Sequence, residues 1–245
     1  MHNIVFVGDS YCATYDLNQW KSRGYPAYQH GAHSDLHTSL VADHFNCALH
    51  PHGYGGKSWW YSRQKYQDYY VDGHKVTDTR AVIFFHTSAG RIHNAWNEKL
   101  TNSYENSSLK QYYLELHDQS YYDWAYQQWF REIARDHTQV KTIHFHCYPD
   151  TINWSDLLPG MIYTTPLIQI SIGELQGTDD AILKKCSYDE TRFNHLNAHN
   201  NRALANLIIH SIENYLPGQY KIDLTNFDQI NPNAKNYPNS GFGTE

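Results

Sequence analysis

Ile4-Val5-Phe6-Val7-Gly8-Asp9-Ser10 is the stretch whose reading decides the fold. Four consecutive apolar residues, two of them β-branched, read as a short strand buried on both faces, the kind that sits inside a parallel sheet. Gly8 permits the sharp turn at the strand's end. In an α/β sheet the carboxyl ends of the strands are where ligands and chemistry gather, so Ser10 falls where a nucleophile is useful. Gly-Asp-Ser also occurs as an ordinary turn, and a serine there can simply cap the following helix. Working outward, further apolar runs of strand length occur at Cys47–Leu49, Ala81–Phe85, Thr142–Cys147 and Leu167–Ile172. Helical spacing lies between them: Leu36, Leu40, Val41 and Phe45 behind Asp35 as N-cap, then Tyr122, Ala125, Trp129 and Ile133, then Leu204, Ile208 and Ile212. Strands alternating with helices predict an α/β fold, a three-layer αβα sandwich around a central, mainly parallel five-stranded sheet. The predicted domain spans 1–225. Residues 226–245, rich in Asn, Pro and Gly, form a polar C-terminal tail.

Composition narrows the function. With 25 acidic against 19 Lys and Arg residues the net charge is −6, which argues against a surface built to neutralise phosphates; no nucleic-acid partner is expected. No apolar run approaches the roughly 18 residues of a membrane span, so no membrane partner is expected either. The first residues lack the basic stretch and long apolar core of a signal peptide. Cys12, Cys47, Cys147 and Cys186 are scattered in neither a disulfide nor a Cys-x-x-Cys pattern. Reduced thiols and a cytoplasmic location follow as expectations, with association to a virion as the other setting. The unusual entries are 21 Tyr, 7 Trp and 17 His. Aromatic surfaces suit sugars, although most tyrosines are expected to be half-buried filling.

A second informative segment lies far downstream, His195-Leu196-Asn197-Ala198-His199, where a histidine precedes an amphipathic helix. Two more lie between: Gly53-Tyr54-Gly55-Gly56 after the second strand, and Val82-Ile83-Phe84-Phe85-His86-Thr87-Ser88-Ala89 at the end of the third. Taken in order, the four blocks resemble those of the SGNH/GDSL hydrolases, serine esterases and lipases with a flavodoxin-like αβα fold. The altered blocks look more like phage-encoded or otherwise divergent members. The resemblance covers roughly residues 3–210. It implies Ser10 as nucleophile, His195 as general base, and the backbone N–H groups of Ser10 and Gly56 as oxyanion donors. Ser88 stands where the family carries a donor asparagine, and Asn94 is a substitute within reach in sequence. Arg192 stands where the family carries the aspartate three residues before its histidine. Asp189 or Glu190 then supplies the third triad member, or a backbone carbonyl orients the imidazole and a Ser–His dyad remains.

The chemistry asks for these parts. Ser10 attacks an acyl carbonyl, and His195 takes its proton and returns it to the leaving alcohol. The oxyanion needs preset donors, each contributing roughly 3 kcal/mol to lowering the barrier. Asp9 is expected to hold its own turn by local hydrogen bonds and to lie beside bound substrate. The aromatic loops Trp59-Trp60-Tyr61 and Tyr25-Pro26-Ala27-Tyr28 favour a carbohydrate ester, with Trp59 contacting it and Arg192 free for an anionic group. The plainer alternatives are that His195 caps the last helix and that these aromatics are core. No cofactor is expected. His195 and His199 are spaced i, i+4, but the glutamate of a His-Glu-x-x-His metal motif is missing. His144 and His146 alternate on one strand face and could form a cluster with Asp150, but no metal set is expected. The remaining function class is a catalytically silent glycan-binding or structural module on the same fold.

Overall fold

The computed structural model describes residues 2–12, 36–53, 58–71, 73–74, 76–87, 89, 115, 118–136, 140–148, 158–171, 196 and 198–228. Six strands form one sheet in the order β2-β1-β3-β4-β5-β6, every adjacent pair parallel. They are β1 (Asn3–Gly8), β2 (Ala48–Gly53), β3 (Thr79–His86), β4 (Lys141–His146), β5 (Met161–Tyr163) and β6 (Gly218–Tyr220). Among the described residues four helices flank them: α1 (His37–His44), α2 (Trp59–Val71), α3 (Gln119–Asp136) and α4 (Ala198–Glu213). Each returns the chain to the start of the next parallel strand, so each helix N-terminus lies at the carboxyl edge of the sheet.

Period-two alternation in the strands sorts the core into two halves. Ile4, Phe6, Ile83, Phe85, Ile143 and Phe145 face α1 and α4, packing on Val41, Leu204, Ile208 and Ile212. Val5, Val7, Val82 and Phe84 face α2 and α3, packing on Trp59, Tyr66, Tyr126, Trp129 and Phe130. Helices on both faces of a parallel sheet make the three-layer α/β arrangement that the alternating sequence pattern implies.

Three expectations need correction. The sheet has six strands, not five, because Gly218–Tyr220 adds an edge strand with no apolar signature. The run Leu167–Ile172 is not a strand: Leu167–Ile170 forms a 3-10 turn after Pro166, and the fifth strand is Met161–Tyr163. Pro166 has no N–H for a ladder, and a short apolar run satisfies a buried turn as well as a buried strand. Gly160, at φ +110°, adopts a conformation that favours glycine and leads the chain into β5. The N-cap of α1 is Leu36, with no side-chain cap, rather than Asp35. Among the described residues no helix is long and apolar enough to cross a membrane.

Candidate active site

The chain leaves β1 toward β2 on one side and later returns to β3 on the other. The strand order therefore reverses between β1 and β3, and in open α/β sheets the crevice outside that reversal is the binding site. The strands come unusually close there. Gly8 pairs with Phe85, and a Cβ at Gly8 would lie 2.4 Å from the Phe85 carbonyl oxygen. No side chain fits, which explains the glycine of the first block. Ser62 Oγ, on α2, donates to the Gly8 carbonyl (3.1 Å) and fixes the strand end.

Beyond Gly8 the chain enters a 3-10 turn, Ser10–Cys12, which puts Ser10 at the carboxyl end of β1 beside this crevice. Asp9 organises the turn. It is fully buried, its Oδ1 accepts the Tyr11 backbone N–H (3.0 Å), and its carbonyl accepts the Cys12 N–H (3.3 Å). The same Oδ1 accepts the Cys147 S–H (3.6 Å), tying the turn to the end of β4. Burial, reinforced by Asp9, pushes the Cys12 thiol well above its ordinary range. A thiol held protonated is a poor nucleophile, so serine is the better-suited residue on this turn.

The adjacent strand ends carry a feature the sequence did not announce. His86 and His144 stack at 5.3 Å between centroids and are joined by His86 Nε2 and His144 Nδ1 at 3.0 Å. His144 Nε2 lies 3.2 Å from the Pro159 carbonyl, which can only accept, so that nitrogen carries the proton. His144 Nδ1 is then the acceptor, His86 Nε2–H the donor, and His86 Nδ1 accepts from the Tyr126 hydroxyl (3.1 Å). One direction of donation then runs from α3 across β3 and β4. Burial, with His144 and His146 beside it, holds His86 well below the usual imidazole range. Burial alone takes His146 to about 3. The i, i+2 spacing of His144 and His146 gave their shared face, but the partner of His144 is His86, and Asp150 lies outside the described residues.

On the other face, α1 and α4 meet at their first turns. His37 Nδ1 lies 2.8 Å from Asn201 Oδ1, and both side chains are buried. Leu196 is buried in the same core cluster as Tyr11 and Cys12, so the segment ahead of α4 and the turn after β1 share one core.

Trp59 does not stand in a loop. It opens α2, is 7% exposed, and stacks on Tyr126 (5.2 Å) and Trp129 (6.2 Å). Its neighbour Trp60 is 37% exposed, with the Arg63 guanidinium 4.8 Å over its ring. Tyr121 and Trp124, on the first turns of α3, are 58% and 56% exposed, their rings 6.1 Å apart and inclined at 33°. His199 sits on the exposed side of α4, its Nε2–H directed at the Asn226 carbonyl (3.3 Å). Gly56, Ser88, Asn94, Asp189, Glu190, Arg192 and His195 lie outside the described residues, as does the Tyr25–Tyr28 loop. Among the described residues no group of three or more His, Cys, Asp or Glu side chains is arranged to hold a metal ion. No protein-family model and no curated protein matches the chain.

Proposed function

We propose that the chain is a serine hydrolase cleaving an ester, with Ser10 as nucleophile and His195 as general base. The observation that carries this reading is the position of Ser10: in a 3-10 turn after a sterically obligatory glycine, at the crevice where the strand order reverses. The resemblance of the four blocks to SGNH/GDSL hydrolases supplies the roles. Ser10 Oγ attacks the acyl carbon as its proton passes to His195, and the carbonyl oxygen becomes the oxyanion. Backbone N–H groups of Ser10 and Gly56 receive that charge, with Ser88 as a further donor. Collapse breaks the bond to the alcohol, which leaves with the proton from His195; water then repeats the sequence on the acyl-enzyme. Asp189 or Glu190 completes a triad, or a carbonyl orients His195 in a dyad. A short acyl group such as acetyl on carbohydrate is the preferred substrate. The exposed rings of Trp60, Tyr121 and Trp124, all on helix turns at the carboxyl edge, favour a sugar as the alcohol side.

The same rings favour the second reading, a catalytically silent glycan-binding or structural module. Hydrolysis of p-nitrophenyl acetate separates the two. The hydrolase reading expects turnover that falls roughly a thousandfold or more in Ser10→Ala with the fold intact. Absent turnover with retained glycan binding would establish the silent module. Undiminished turnover in Ser10→Ala would assign the chemistry to another group.

A further inference from the structure

Cys147 is a fully buried thiol that the chemistry proposed above does not use, and it sits where several elements of the crevice meet. It is the first residue after β4. Its backbone N–H donates to the His86 carbonyl at the end of β3 (2.9 Å), and its carbonyl accepts the Ile168 N–H of the 3-10 turn Leu167–Ile170 (3.0 Å). The His86 ring is itself held by Tyr126 and His144, so the frame that carries Cys147 is braced by directed bonds.

From that frame the thiol reaches across to the turn after β1. Its S–H donates to Asp9 Oδ1 (3.6 Å), and the same oxygen accepts the Tyr11 N–H (3.0 Å). That N–H belongs to the peptide that follows Ser10. The Asp9 carbonyl closes the turn on the Cys12 N–H (3.3 Å). Ser10 therefore lies inside a loop of hydrogen bonds anchored on the Cys147 sulfur. The sulfur has a physical reason to be there. A hydroxyl donor bonds at about 2.5–3.0 Å, so a serine would fall short of Oδ1 or draw the turn toward β4. A valine would fill the core shared with Tyr11, Leu167 and Ile168 and donate nothing. Cysteine packs as a small apolar side chain and still offers a weak donor at longer range. We propose that Cys147 is a positioning residue: through Asp9 its thiol sets how far the Ser10 turn stands from the ends of β3 and β4. This inference rests on the hydrolase reading, in which that separation decides whether the nucleophile meets the acyl carbon. It gives a role to a residue that none of the four sequence blocks contains.

Two substitutions part positioning from packing. Cys147→Val keeps the apolar volume and removes the donor. Cys147→Ser keeps a donor and places a hydroxyl in an apolar site. Each is compared with wild type for kcat and KM on p-nitrophenyl acetate and for the thermal unfolding midpoint. The infrared S–H stretching band is recorded for wild type and for Cys147→Val. Cys147→Val is expected to unfold within about 3 °C of wild type while kcat falls about tenfold to a hundredfold and KM stays within about twofold. Cys147→Ser is expected to unfold at a lower temperature than Cys147→Val yet retain more of kcat, because it can restore the link to Asp9. The difference spectrum is expected to show an S–H band lowered in frequency by hydrogen bonding. A kcat that tracks the unfolding midpoint, with Cys147→Val at or above Cys147→Ser, makes the thiol a packing group and overturns the proposal. A difference band at the frequency of a free thiol overturns it too, as does wild-type kcat in Cys147→Val. Absent turnover in wild type, or undiminished turnover in Ser10→Ala, removes the hydrolase reading and the positioning role with it. Neither result alters the S–H band, so failure of that reading is told apart from failure of the link.

Discussion

The two faces of the sheet solve the same burial problem with different chemistry. The α1/α4 side is mostly aliphatic: Ile83, Ile143, Leu204, Ile208 and Ile212 fill space and ask nothing of their neighbours but shape. The α2/α3 side is aromatic, with Trp59, Tyr126, Trp129, Phe130 and Phe84 stacked around the paired rings of His86 and His144. Aromatic rings that carry N–H or O–H groups demand partners when buried. On that face Tyr126, His86 and His144 meet this demand through a chain of directed hydrogen bonds, whereas the Trp129 indole N–H is buried without a partner among the described residues. The buried polar groups of the aliphatic side are fewer and lie on the helices, His37 with Asn201 where α1 and α4 meet and Ser211 with Tyr163 further along α4. Volume specifies how close the layers come; directed bonds specify which atoms meet. Polar groups therefore concentrate where the strand ends must be held in place.

The comparison can be broken first at His144. Replacing it with Leu takes the acceptor from the His86 Nε2–H, while the Pro159 carbonyl keeps the Thr142 hydroxyl as donor (2.9 Å), a loss of about 3 kcal/mol. Ile208→Val on the opposite face removes one methylene and should cost about 1 kcal/mol. Equal losses by urea denaturation would mean the aromatic face is held by volume alone.

Acid comes next. His37 and His146 have folded values of about 4 and about 3, both below the ordinary 6.5. Below pH 6.5 the unfolded chain binds protons that the folded chain refuses, so stability is constant above 6.5 and falls as pH drops. By pH 4 each group should have removed about 3 kcal/mol, with His37 levelling off near 4 and His146 continuing toward 3. Urea midpoints from pH 7 to 4 should flatten in His37→Phe and again in His146→Phe. A slope unaltered by both variants would place the acid sensitivity elsewhere.

A smaller effect is expected at Tyr126→Phe, which removes only the first donor of the histidine chain: about 1 kcal/mol, with the His86 ring signal shifted in the NMR spectrum. The smallest is Trp124→Ala. Its exposed ring should change stability by less than about 0.5 kcal/mol, while KM for a polymeric acetylated sugar rises and KM for p-nitrophenyl acetate does not. A KM that rises for both esters would place Trp124 at the acyl site instead of a sugar platform.

How much of this was legible in the sequence depended on the range of the signal. β1 and β3 contain continuous apolar runs, β4 alternates Ile143 and Phe145 with His144 and His146, and the Leu204-Ile208-Ile212 stripe is uniformly buried on α4. Those patterns are local and survived. Met161–Tyr163 is too short to stand out, and the exposed Gly218–Tyr220 is a strand only because β5 offers it an edge. The location of Ser10 at a strand's end was readable from a glycine and four apolar residues. The Trp59-Trp60-Tyr61 loop was a misreading, since the same residues begin a helix with Trp59 inward and Trp60 outward. His86 with His144, and His37 with Asn201, are joined across 58 and 164 residues. No spacing rule connects them; only the strand register and the meeting of two helix ends do.

Among the described residues β2 is the outermost strand on one side and pairs with β1 alone, carrying Pro51 opposite Phe6. Proline donates no hydrogen bond and is tolerated in a sheet where its nitrogen faces outward. A free rim of parallel sheet would otherwise invite a strand from another copy of the chain. With proline in the middle of one rim and a three-residue strand at the other, the sheet offers little template for growth at either end. The fold thereby guards itself against fibrous self-association, so crowded solutions of the folded protein should remain free of cross-β polymer.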